Sequence, residues 1–76
     1  MDKQAHVTVL IGEDTQHLEI PSGSTEVVTL KQELSVPETD VLYLVHGQNR
    51  RLLGDHELID VESGERFEAI PAGGVS

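Results

Sequence analysis

One stretch of this chain has helical spacing, and it constrains everything around it. Val27, Leu30 and Leu34 recur at i, i+3 and i+7 and so share one helical face. Ser24 or Thr25 offers a side-chain oxygen to cap the start, and Glu26 suits the helix dipole there. Pro37 disfavours helical geometry in Val36, so the helix stops by that residue. A helix of about ten or eleven residues is marginal alone in water, so this one must lean on a sheet.

The flanking runs supply that sheet. His6-Val7-Thr8-Val9-Leu10-Ile11 is rich in β-branched and apolar residues and reads as a strand. Gln16-His17-Leu18-Glu19-Ile20 alternates polar and apolar, as a half-buried strand does. Gly12-Glu13-Asp14-Thr15 joins the two as an antiparallel hairpin, with a connection longer than the tightest turns. Val41-Leu42-Tyr43-Leu44-Val45 is a continuous apolar run. It fits a strand covered on one face with an apolar patch on the other, or a strand buried on both. Gln48-Asn49-Arg50-Arg51 is a polar turn and Leu52-Leu53 a very short edge strand. Gly54 to Val61 reads as irregular, with Leu58, Ile59 and Val61 as a satellite of the core. After the turn Glu62-Ser63-Gly64, Arg66-Phe67-Glu68-Ala69-Ile70 alternates and reads as the last strand. The order strand, strand, helix, strand, short strand, strand gives an α+β fold: a single sheet with one helix laid across one face.

Length and charge narrow the function classes. Seventy-six residues allow one domain with one small core, since a chain this short buries only about 60 % of its unfolded surface. A deep catalytic pocket does not fit easily beside that core. There is no cysteine, so there is no disulfide framework and no thiol nucleophile, which fits a reducing cytoplasm. Met1-Asp2-Lys3-Gln4 lacks the basic-then-apolar order of a signal peptide. No stretch reaches the roughly 18 apolar residues that span a bilayer. Fourteen acids against five bases leave a net charge of −9. Phosphate backbones and anionic membranes repel such a surface, so neither nucleic acid nor membrane is expected as a partner.

Catalytic and metal signatures are equally thin. His6, His17, His46 and His56 lack the short spacings of metal ligands. Pro21-Ser22-Gly23-Ser24 is followed by no Gly-Lys-Ser or Gly-Lys-Thr and is not a phosphate loop. No Ser-His-Asp combination sits in a catalytic motif. The chain is read as a non-enzyme with no cofactor.

The end of the sequence is different. In Ile70-Pro71-Ala72-Gly73-Gly74-Val75-Ser76, two glycines offer nothing to pack and cost backbone entropy. They do give a slim, extended strand that can enter a narrow enzyme channel. Removing Val75-Ser76 would leave the Gly74 carboxylate with no Cβ beside it, open to activation. The tail alone is equally well read as a frayed terminus.

Element order and tail together resemble a ubiquitin-like β-grasp domain, and specifically the bacterial ubiquitin-like modifiers related to the multiubiquitin family. The resemblance rests on Leu18-Glu19-Ile20, the Pro37 break, Leu44-Val45-His46-Gly47, Glu62-Ser63-Gly64-Glu65-Arg66-Phe67 and Ala72-Gly73-Gly74. It covers residues 6–74, with residues 1–5 as an extension, 6–70 as the domain and 71–76 as a flexible tail. It implies a mixed sheet of four or five strands with the last strand central, parallel to the first and antiparallel to the third. It also implies that Val41, Tyr43 and Val45 face the helix, while Leu42, Leu44 and His46 face outward as a partner patch. A register slip of one residue inverts this and puts Leu42 and Leu44 in the core.

The chemistry implied by the resemblance is done to the tail by others. A processing peptidase, often zinc-dependent in such systems, cleaves between Gly74 and Val75. An activating enzyme adenylates the Gly74 carboxylate with ATP, and a cysteine on it or on a conjugating enzyme takes the glycine as a thioester. The target protein then receives Gly74 on an amine, through an isopeptide bond. Ile70, Pro71, Ala72, Gly73 and Gly74 would be held in the activating-enzyme channel. Related bacterial systems are linked to antiphage defence. Unlike eukaryotic ubiquitin, this chain has no arginine next to the Gly-Gly pair and only two lysines, which argues against chains built through lysine. Two other classes stay open: a β-grasp sulfur carrier bearing a terminal thiocarboxylate, and a non-conjugated interaction module.

Overall fold

Alternation along the strands decides which side chains meet the helix, and it does so consistently across the whole sheet. The computed structural model describes residues 3–71. The strands are β1 (Gln4–Ile11), β2 (Asp14–Pro21), β3 (Gly23–Glu26), β4 (Asp40–His46), β5 (Asn49–Leu53), β6 (Leu58–Val61) and β7 (Arg66–Pro71), with one helix, α1 (Val27–Glu33), between β3 and β4. Five strands form a mixed sheet in the order β2-β1-β7-β4-β5, and β3 pairs with β6 in a separate two-stranded ribbon. β7 is central, parallel to β1 and antiparallel to β4. The fold is α+β, with the sheet order and single helix expected of a β-grasp.

One face of the sheet is the core. Ala5, Val7 and Val9 from β1 are buried with Ile20, Phe67, Ala69, Leu42 and Leu53, and Val27 and Leu30 of α1, with Leu34 at its C-cap, close over them. Phe67 is fully buried beneath the helix, between Val9 on β1 and Leu44 on β4. Ala5 is buried at the start of β1, so this strand begins at Gln4, two residues before the strand read from the sequence.

The local differences from expectation have physical causes. The first hairpin is tighter than expected. Ile11 pairs with Asp14, and Gly12 (φ 62°) takes the first position of the two-residue turn, where a type II′ hairpin needs glycine. The β4–β5 turn repeats the device, with His46 opposite Asn49 and Gly47 at φ 60°. The helix is shorter than expected, because Ser24 and Thr25 are drawn into β3 opposite Asp60 and Ile59. Neither caps α1, which has Glu26 at its N-cap position and no side-chain cap. Backbone carbonyls do the capping: Val27 N–H donates to Glu57 and Val28 N–H to Asp55, at 3.0 and 2.9 Å. Pairing with β3 also turns 58–61 into a strand, with Ile59 and Val61 buried and Leu58 exposed.

The helix ends in a Schellman motif. Val36 N–H donates to Lys31 and Ser35 N–H to Gln32, with Ser35 itself left-handed at φ 60°. Among the described residues no helix is long and apolar enough to cross a membrane.

Candidate functional site

The sequence placed the working parts of the chain at two sites, the run-out of the last strand and an apolar patch on β4. The run-out begins at Ile70 and Pro71. Both still belong to β7, but they pair only with β4, opposite Val41 and Asp40, because β1 ends its pairing at Ala69. Proline has no N–H to give a ladder and is found where pairing is incomplete. Ile70 is a large apolar side chain left 36 % exposed. Ala72, Gly73, Gly74 and Val75, the rest of the predicted channel and cleavage segment, lie outside the described residues.

The β4 patch requires a correction. Leu42 has no exposed surface, and Leu44 packs against the core cluster. Their cross-strand partners explain this: Leu42 stands opposite Ala69 and Leu53, and Leu44 opposite Phe67. Residues directly opposite one another share a face, so both leucines point toward α1. His46 is exposed but has the same parity as Leu44, and it ends β4 near Glu65. Leu42, Leu44 and His46 therefore do not form an outward patch. The slip of one residue has occurred, and Val41, Tyr43 and Val45 occupy the open face.

The open face nonetheless carries apolar side chains, interrupted by Glu68. Leu10, Glu68, Tyr43 and Leu52 stand side by side across β1, β7, β4 and β5, and Val41 lies beside Ile70 in the next row. Leu10, Val41, Tyr43 and Val45 are half-buried, and Leu52 is 58 % exposed. The patch continues to the point where β7 leaves the sheet, since Ile70 belongs to both. The apolar run 41–45 has no internal polarity to reveal its register. The missing signal lay in the last strand, where Phe67 and Ala69 mark the buried parity and fix the parity of β4 by antiparallel pairing.

One charged pair crosses this face. Arg50 Nε lies 3.1 Å from Glu68 Oε1. That oxygen is buried and has no hydrogen-bond partner, so the contact is an offset charge pair and the oxygen keeps a free lone pair. Elsewhere burial raises the Glu65 carboxyl above its usual range, and Lys31 beside Asp55 holds that carboxyl below it.

Among the described residues no three His, Asp or Glu side chains converge as a metal site. Compared with protein-family models, curated proteins and solved structures, the chain matches none.

Proposed function

We propose that this chain is a ubiquitin-like protein modifier. It is cleaved after Gly74, adenylated there, carried as a thioester and joined through Gly74 to an amine of a target protein. The observation that carries this reading is that the central strand β7 leads directly into the Gly-Gly segment, two residues beyond Pro71. Up to Ala69 the strand β7 is paired on both sides, by β1 and β4, so the sheet fixes where the chain leaves it at Pro71. The open face of Tyr43, Val41, Leu52 and Ile70 adjoins that exit, so an enzyme that grips the tail can also rest on the sheet.

The test is thioester formation. The full chain and a form ending at Gly74 are each mixed with ATP and a candidate activating enzyme from the same cells. The expected result is an ATP-dependent, thiol-sensitive adduct on the form ending at Gly74. No adduct from either form, with an enzyme shown to be active, overturns the proposal.

A second reading, an interaction module that is never conjugated, is favoured by the exposed Leu52 and Ile70. Replacing Gly74 with a bulky residue separates the two: it abolishes conjugation and leaves docking intact.

A further inference from the structure

The chain offers two side-chain amines, Lys3 and Lys31, and their surroundings differ in kind. Lys31, in α1, is only 3 % exposed. Its Nζ donates to the Glu38 carbonyl at 3.3 Å, the Asp40 carbonyl at 2.5 Å and Asp55 Oδ1 at 2.8 Å. An ammonium has three donors and no acceptor, so every N–H of Lys31 is used. To attack a carbonyl carbon, this nitrogen must lose a proton and turn its lone pair outward. That step removes a donor from the three acceptors, leaves the Asp55 carboxylate without its counter-charge and requires the loop at Asp40 to open. Lys31 is a structural cation that ties α1 to the 38–40 and 55 segments.

Lys3 is the opposite case. It is exposed at the foot of β1. Its main chain is fixed, because its carbonyl accepts from Ser22 N–H at 3.0 Å and Ser22 Oγ at 3.3 Å. Its Nζ has no hydrogen bond or ion pair among the described residues. It stands at the rim of an open depression of about 510 Å³ whose walls include Ser22, Gly23 and Ser63. These three small residues leave room for an acyl group to approach, beside Asp60 and Glu62, which line the same depression.

We infer that Lys3 is the acylation site of this chain, the one of its two lysines that accepts an activated acyl group, with acyl thioesters as the donor class. The neutral Lys3 Nζ adds to the thioester carbonyl. A C–N bond forms, the C–S bond breaks, and the thiolate leaves with the electron pair while the nitrogen gives up its proton to solvent. An amide and a free thiol result, with no change of oxidation state. This inference stands without the conjugation reading. Taken with that reading, it confines any lysine-linked joining of one copy to another to Lys3.

The test uses N-acetylglycylglycine as its mercaptoethanesulfonate thioester, incubated with the full chain in native buffer and in concentrated urea, with the products mapped by mass spectrometry. In native buffer Lys3 is expected to be acylated at least about tenfold faster than Lys31, because Lys31 reacts only through local opening. In urea the two rates converge. Lys3→Arg removes native side-chain acylation, and Asp55→Asn raises native acylation of Lys31 several-fold by loosening its network. Comparable native rates at the two lysines overturn the assignment, as does a native Lys3 that stays unmodified while it reacts in urea. No activating enzyme enters the experiment, so its failure is distinct from failure of thioester formation at Gly74.

Discussion

Arg50 on β5 reaches across β4 to Glu68 on β7, Nε to Oε1 at 3.1 Å. The pair ties an edge strand to the central strand over the top of the strand between them. Glu68 keeps only 21 % of its side chain exposed while Arg50 keeps 58 %, so the acid depends on the base more than the reverse. Arg50→Ala is expected to cost about 1 kcal/mol, near the upper end for exposed pairs, because it leaves a half-buried carboxylate unpaired. A double-mutant cycle with Glu68→Gln, read by urea denaturation, should return a coupling of about 0.5–1 kcal/mol that shrinks as salt is added.

The parity of β4 makes two leucines on neighbouring strands behave differently. Leu42 is fully buried, and Leu52 is largely exposed. Leu42→Ala should cost about 2–5 kcal/mol through lost burial and the cavity left behind. Leu52→Ala should stay within about 0.5 kcal/mol. Equal costs in thermal denaturation would mean that the faces are assigned wrongly.

Ser35 closes the Schellman motif in a left-handed conformation, φ 60°. A residue with a Cβ pays about 1–2 kcal/mol there, and glycine gives back part of that through its freer unfolded chain. Ser35→Gly should therefore stabilise the domain by about 0.5–1 kcal/mol. A lower denaturation midpoint for the glycine variant would contradict the cap assignment.

Two carboxyls give opposite slopes with pH. The hydrogen bond and charge of Lys31 hold Asp55 below its ordinary value of 3.8. Its contribution is therefore present above that pH and is lost as pH falls through the lower folded value. Burial raises Glu65 above its ordinary 4.5, so its contribution is present below that pH and is lost as pH rises through the higher folded value. Asp55→Asn should flatten the acid limb of a stability–pH curve and lower stability at neutral pH. Glu65→Gln should raise stability at neutral pH and leave the acid limb unchanged. Urea midpoints measured across the acid range check both.

The chain's strands were legible wherever polarity alternated. Leu18 and Ile20 on β2, and Phe67 and Ala69 on β7, declare their buried side in sequence, whereas the central place of β7 was implied only by the resemblance. β4 was not legible, because Val41 to Val45 are all apolar and the register depends on a partner strand more than twenty residues away. The resemblance supplied a register, and for this chain it was the wrong one. Ser24 and Thr25 looked like helix caps by type. The pairing of β3 with β6 overrode that preference and let main-chain carbonyls from Asp55 and Glu57 take over the capping. The role of Lys31 was hidden for the same reason. Its three acceptors come from 38, 40 and 55, and nothing in the helix itself announces them.

The place of β7 has a consequence for biosynthesis. Until residues 66–71 leave the ribosome, the β1–β2 hairpin and the β4–β5 hairpin have no strand between them, and the groove under α1 lacks Phe67. Pairing between β1 and β7 joins opposite ends of the described chain, the kind of distant contact that forms late and slowly. The segment that carries Gly74 is thus synthesised directly after the strand that completes the fold. A chain broken off before β7 would be left with an open sheet centre, a fragment that quality control can recognise as unfolded.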